Sequence, residues 1–341
     1  MVKKKEVIRN VFSGKEKIML HALLRNGRTF NTHIANRLNI SSQVTGRIRN
    51  RLERDEIIKG YSIELNHNFL GIKTFVLALF NIEGSETSVM TENLVGFYKV
   101  LANSITHIGL YAFKDLEDSD KYFNSLIKNF DNIKIMNTYV FPSEGLIKKC
   151  PRNLFYNAVR DFDGKGSCNY SEFSCKSSRK IKQLNNSEKD VLKQLIKKSN
   201  ISSKKISVNL NRKISRSSVN RIRIKLEKRG IIKRYNADLD YEKLGINVLA
   251  FIFVNPRSDL IKKQDTYIRQ CHRSKNVIGC YRLNEETTLF CGFKDLNDLE
   301  NYINCLRRDY KGLIELKHIH LISPRGVIKE SFDDLFLSLL E

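Results

Sequence analysis

Two stretches of the sequence, Ser41-Ser42-Gln43-Val44-Thr45-Gly46-Arg47 and Arg216-Ser217-Ser218-Val219-Asn220-Arg221, mix short hydroxyls and amides with guanidinium groups. Together such side chains suit one chemistry. Hydroxyls and amides exchange hydrogen bonds with the edges of nucleic-acid bases, and Arg or Lys neutralises phosphates. The first stretch continues into Arg49, Arg51 and Lys59, the second into Arg223, Lys225, Lys233 and Arg234. The candidate contact residues are therefore Ser41, Ser42, Gln43, Thr45, Arg47, Arg49, Arg51 and Lys59. Their counterparts are Arg216, Ser217, Ser218, Asn220, Arg221, Arg223, Lys225, Lys233 and Arg234. A solvated basic face is the plain reading of either stretch alone, and its recurrence favours nucleic acid.

Each stretch has to be positioned by helices. In the first, Ile18, Leu20, Leu23 and Leu24 give a helical apolar stripe after Ser13, an N-cap residue. A second short helix carries Ile34, Ala35 and Leu38, and Asn39-Ile40-Ser41 makes a tight connection to a third, capped by Ser41 or Ser42. Val44, Ile48 and Leu52 are expected to form the core face of that helix, leaving Gln43, Thr45 and the arginines outward. Ile57 to Tyr61 then reads as an extended wing. The later stretch repeats the plan: a helix from Ser187, one near Lys204–Leu210, and one from about Ser217 to Arg229 with Val219, Ile222 and Leu226 inward.

The charge follows the same division. The 341 residues hold 60 Lys and Arg against 37 Asp and Glu, net +23. Residues 1–72 carry 14 basic and 6 acidic side chains, and residues 187–246 carry 17 and 6. Residues 73–149, with 8 and 9, and 247–341, with 14 and 13, are nearly neutral, while 150–186 has 7 and 3. Two basic modules alternate with two neutral ones, so the surplus points to an anionic partner at two places.

An internal repeat explains the alternation. Leu52-Glu53 through Ile57-Ile58-Lys59-Gly60-Tyr61 returns as Leu226-Glu227 through Ile231-Ile232-Lys233-Arg234-Tyr235, and Leu70-Gly71 returns as Leu244-Gly245. Phe113-Lys114-Asp115-Leu116 returns as Phe293-Lys294-Asp295-Leu296, and Gly145-Leu146-Ile147-Lys148 as Gly326-Val327-Ile328-Lys329. Each neutral module approximates β-α-β-β-α-β, a ferredoxin-like unit. The first is expected to have a strand over Phe75–Ile82, a helix near Glu86–Leu101, a strand over Thr106–Phe113, a helix from Asp115 to Phe130 and a strand over Ile133–Phe141. The second has Val248–Val254, a helix near Leu260–His272, strands around Val277–Leu283 and Thr287–Phe293, a helix over Asp295–Arg308 and a strand over Leu313–Ile322. The fold class is α+β. Winged helix-turn-helix modules span 1–65 and 187–239, βαββαβ domains span 66–149 and 240–341, and 150–186 is a linker.

Other reactive residues carry less. Seven cysteines, without a tight framework, argue against a disulfide-stapled secreted protein. Cys150, Cys168 and Cys175 are too loosely spaced for zinc, and no metal or cofactor is expected. His318 and His320 share one face of a strand, where sheet packing or exposure is the default. No apolar run approaches the roughly 18 residues of a membrane span, and no membrane partner is expected. The expected setting is the reducing cytoplasm, in association with the nucleoid.

The residues Leu52 to Tyr61 with Asn66 and Leu70-Gly71, and Leu226 to Tyr235 with Leu244-Gly245, resemble the Lrp/AsnC family of transcription regulators. The resemblance implies double-stranded DNA as partner and self-association through the βαββαβ domains, either as a pseudo-dimer within one chain or between chains. Many relatives bind an amino acid through a Gly-x-x-Asp turn. Here Ala102-Asn103-Ser104-Ile105-Thr106 and Asn284-Glu285-Glu286-Thr287 replace it, so a small-molecule effector is unsupported and no effector-binding residue is assigned. Two rivals share the architecture. One is a nucleoid-type architectural protein of low sequence specificity. The other is an Lrp-like sirohaem decarboxylase, in which His107 would act beside a tetrapyrrole. Unlike reading helices imply two unlike half-sites.

Overall fold

The computed structural model describes residues 12–101, 104–149, 154–155, 158–159, 184–211, 213–256, 274–283 and 286–340. The helix expected near Leu260–His272, the linker cysteines, and residues 102–103 and 284–285 of the two substituted turns lie outside these residues.

The chain begins with three helices, α1 (Gly14–Arg25), α2 (Asn31–Leu38) and α3 (Ser42–Arg54). Ser13 and Glu16 close a capping box on α1. Asn39 takes the left-handed conformation at the end of α2, and Ser41 caps α3 by accepting from the Val44 amide. The strand β1 (Ile58–Leu65) follows. The same order returns in α5 (Asn186–Lys197), α6 (Ser203–Asn209), α7 (Arg216–Lys228) and β7 (Ile232–Leu239). There, Asn185 and Glu188 close the capping box and Ser215 caps α7.

Neither β1 nor β7 folds back as a wing beside its own helices. They pair with each other, antiparallel, in a two-stranded ribbon. Tyr61 stands opposite Ala237 and Ile63 opposite Tyr235, so the ribbon has an approximate two-fold axis near Ser62 and Asn236. This corrects the expected wing. A lone strand with one apolar face finds its ladder partner in the other copy, which offers the same pattern. The first loop of each helical unit also docks on the opposite strand, through Gly27 N–H to Tyr235 O (3.0 Å) and Ser199 N–H to Tyr61 O (3.4 Å).

After each ribbon strand a short 3-10 turn ends at Gly71 or Gly245, both at positive φ. The first sheet contains β2 (Thr74–Ile82), β3 (Leu94–Val100), β4 (His107–Phe113) and β5 (Ile133–Pro142), with α4 (Leu116–Asn129) between the last two. The second contains β8 (Val248–Pro256), β9 (Val277–Arg282), β10 (Thr287–Phe293) and β11 (Ile314–Lys329), with α8 (Leu296–Asp309). The repeated Phe-Lys-Asp-Leu ends a strand and caps a helix: Asp115 accepts from Asp118 N–H at 3.0 Å, and Asp295 from Asp298 N–H at 2.9 Å.

Strand order is β5-β2-β4-β3 in one half and β11-β8-β10-β9 in the other. The helix expected near Glu86–Leu101 is absent; a turn at Thr87–Val89 and β3 occupy that stretch. Phe97 and Tyr98 are both fully buried, in different cores. A strand can be buried on both faces, and its continuous apolar run mimics a helix.

The repeated Gly-Leu/Val-Ile-Lys segment is a strand that crosses between copies. β6 (Leu146–Lys149) leaves β5 through a three-residue turn and pairs with β9, while the end of β11 pairs with β3. The nine strands therefore form one sheet, order β5-β2-β4-β3-β11-β8-β10-β9-β6, that curls back on itself. Its inside carries Phe75, Tyr98, Phe141, Phe251, Tyr281 and Phe290. Separate cores lie on the outer faces, with Leu126 of α4 in one and Leu299 of α8 in the other. The short helix α9 (Asp333–Ser338) ends the described chain.

Candidate nucleic-acid interface

The third helix of each helical unit is held from beneath by matching contacts. Leu52 and Leu226 are completely buried. Tyr61 donates to Glu53 (2.6 Å), and Tyr235 donates to Glu227 (2.7 Å). The buried Glu16 pairs with Arg51, while Glu188 pairs with Lys225 at 2.7 Å and Arg229 at 3.3 Å. Burial pushes the Glu188 carboxyl up, but the Lys225 and Arg229 charges and the Asn185 amide outweigh it and hold it below the ordinary carboxylate range.

These contacts divide the expected contact residues. Ser42 and Gln43 are exposed at the start of α3 with Arg47 a turn further along, and Arg216 at the start of α7 with Arg221 further along, none with a side-chain hydrogen bond or ion pair among the described residues. Lys233 is half-buried beside them on β7. Ser41 is committed to its cap, at 3.2 Å from the Val44 amide. Ser217 and Ser218 hydroxyls lie 2.9 and 3.1 Å from the capping hydroxyl of Ser215.

Several others are engaged inside the protein. Arg49 donates to Thr29 O at 2.7 Å and lies over the Tyr61 ring. Arg223 pairs with Glu227 at 2.5 Å and donates to Asn220 at 2.9 Å. Lys59 pairs with Asp240 at 2.8 Å and Arg234 with Glu64 at 2.7 Å. Arg49, Arg51, Arg223 and Lys225 are thus held by partners within the helical units or on the ribbon, and Lys59 and Arg234 tie β1 to β7 and the residue that follows it. Asp240 feels burial first, yet Lys59 and the Lys243 amide hold its carboxyl below the ordinary range.

Thr45 is a correction. It is 0% exposed, and its hydroxyl donates to Ser41 O at 3.1 Å, whereas Val44, expected in the core, is 37% exposed. In the other unit Val219 and Leu226 are buried and Ile222 packs partly, as expected. The repeat offset places Thr45 opposite Val219, and that alignment is the signal that locates it. Arg37 on α2, Lys204 and Lys205 on α6, and Phe30, 67% exposed before α2, lie outside the expected contact residues yet also face solvent beside these helices.

The histidines lie elsewhere. His107 is 3% exposed, its ring nitrogens 2.8 Å from Thr106 Oγ1 and 2.9 Å from Glu86 Oε1, and it stacks on Phe97. Burial lowers its pKa against the opposing effect of Glu86. His320 meets Phe253 edge-on inside the curled sheet, and burial lowers its pKa as well; His318 is exposed. No group of three potential metal ligands occurs among the described residues, and none of their helices is long and apolar enough to cross a membrane.

A short helix, a tight turn and a capped second helix with a basic, exposed N-terminal half define a helix-turn-helix protein. No family model matches the chain. An uncharacterised HTH-type transcriptional regulator of Pyrococcus furiosus is 31% identical over 121 residues, covering 34% of this chain and 73% of that protein. The chain belongs to the family of that HTH-type transcriptional regulator. The siroheme decarboxylase NirDL shares the fold over 96% of this chain and 98% of its own, with a TM-score of 0.54 and 12% identity. LrpC of B. subtilis aligns with 41% of this chain and 94% of its own, with a TM-score of 0.35 and 24% identity.

Proposed function

We propose that the chain is a DNA-binding transcriptional regulator of Lrp/AsnC type, in tandem form, which reads the major groove with α3 and α7. The observation that carries this reading is the free N-terminal ends of two basic, unlike helices in units joined by the β1–β7 ribbon. Arg47 and Arg221 hold corresponding places, so both contact DNA, with Ser42, Gln43 and Arg216 beside them. Arg37, Lys204, Lys205 and Lys233 add phosphate contacts. The partner is double-stranded DNA, and the protein acts in the cytoplasm, on the nucleoid. The copies associate within one chain, which therefore presents the pseudo-dimer that two separate chains would otherwise form.

The test is a titration of duplex DNA against salt. Tight, salt-sensitive binding is expected, and the Arg47→Ala, Arg221→Ala double variant should weaken it and reduce the log–log salt slope by roughly 2. Unchanged affinity would remove both helices from the interface. A ratio of specific to non-specific affinity near one would favour the architectural reading.

The fold likeness to NirDL favours one other reading, a sirohaem decarboxylase. His107 does not support it, since both of its ring nitrogens are engaged within the protein. Visible absorbance of a copurifying tetrapyrrole would favour that enzyme over the regulator.

A further inference from the structure

Gln43 and Ser217 occupy the same place, two residues beyond the capping serine of each reading helix. Arg47 and Arg221 follow one turn later on the same face. The arginines are identical and both are exposed, so they cannot make the two helices read differently. The residues before them can. Gln43 is exposed and its amide has no partner among the described residues. Ser217 is short, and its hydroxyl is 2.9 Å from that of Ser215, within the cap. Ser42, also exposed, corresponds to Arg216, whose guanidinium sits at the positive end of α7, where a phosphate is favoured. Asn220 is held by Arg223, and its counterpart Gly46 has no side chain.

We propose that Gln43 is the residue that makes the two half-sites unlike. Its amide reads an adenine in the half-site under α3, beside a base pair that Arg47 and Arg221 read alike in both. A glutamine amide matches the N6 donor and N7 acceptor of adenine in the major groove, and an arginine matches the two acceptors of guanine. The half-site under α7 lacks the adenine requirement, because Ser217 is turned into its cap and Arg216 holds backbone phosphate. The inference rests on the regulator reading and deepens it.

Binding-site selection on random duplexes tests it, with the full chain, Gln43→Ala and Ser217→Gln. The unaltered chain should select a bipartite site with one shared base pair per half and an adenine in one half only. Gln43→Ala should lose the preference for that adenine, a ten- to hundred-fold discrimination at one position, and leave the rest of the site intact. Ser217→Gln should create the same adenine preference in the other half, since the Ser215 cap on the Ser218 amide does not need the Ser217 hydroxyl. Circular dichroism of both variants should match the parent.

The inference is overturned if Gln43→Ala selects the parental site, or if Ser217→Gln leaves the second half unchanged while the protein stays folded. If the unaltered chain shows no salt-sensitive DNA binding, the regulator reading itself fails, an outcome distinct from either.

Discussion

Gly145 lies against the carbonyl oxygen of Arg282, in the other copy, so closely that a Cβ would stand 2.6 Å from it. Gly326 meets the carbonyl oxygen of Lys99 in the same way, at 2.8 Å. The two glycines begin the strands that cross between the copies, at β6 and at the end of β11. Neither has a positive φ, so crowding rather than backbone conformation excludes a larger residue.

Gly145→Ala and Gly326→Ala should each destabilise the protein by about 1–3 kcal/mol, the usual cost of forcing a methyl group into a packed junction. Equilibrium denaturation in urea measures this. A change below about 0.5 kcal/mol for both would mean that the crossing strands yield without loss.

Thr45→Val should leave DNA affinity unchanged and alter stability by less than about 1.5 kcal/mol. The buried hydroxyl has one partner, Ser41 O, and Val fills the same volume, as Val219 does in the other unit. Anisotropy titration beside Arg47→Ala, which should bind weakly, separates a core residue from a reader. Equal losses in the two variants would return Thr45 to the interface.

Glu188→Gln should cost about 1–3 kcal/mol at pH 7, because it removes a buried carboxylate paired with Lys225 and Arg229. The folded pKa lies below the ordinary glutamate value of 4.5. The contribution is therefore present above pH 4.5 and lost as pH falls through the lower folded value. Denaturation at pH 7 and pH 3 should show the difference between variant and parent shrinking in acid. A constant difference would assign the loss to packing alone.

Asp238→Asn should have the opposite pH dependence. Burial, aided by the charge of Asp333, pushes the Asp238 carboxyl from 3.8 up to about 6, against a hydrogen bond from Ser62. A raised folded pKa favours the native state below pH 3.8, and that advantage fades as pH rises through about 6. Asn keeps an acceptor for the Ser62 hydroxyl, 2.8 Å away, and carries no charge. The variant should be more stable than the parent by about 1–3 kcal/mol at pH 8, and the gap should close toward pH 4. A parent as stable as the variant at pH 8 would show that the ribbon hydrates the carboxylate.

Much of the local structure was legible from caps and periodicity. Ser13, Ser41, Asp115 and Asp295 mark helix starts through short-range hydrogen bonds, which a sequence states directly. The stretch from Glu86 to Leu101 was not legible, because β3 is buried on both faces and alternation disappears there. The reading surface was only half legible. Its basic character shows in composition, but Arg49, Arg51, Arg223 and Lys225 differ from Arg47 and Arg221 only in what lies beneath them.

The alternation of two basic helical modules with two neutral sheet modules follows from repeated motifs and segment charge, which need no tertiary contact to be read. That the copies join each other within one chain is visible only in the long-range strand pairing. The pairing of Ile63 with Tyr235, and of Leu146 with Tyr281, depends on backbone hydrogen bonds between residues far apart in sequence. A ladder bond uses the same amide and carbonyl whatever the side chain, so residue identity cannot name the partner. Geometry alone sets which strand edge is within reach.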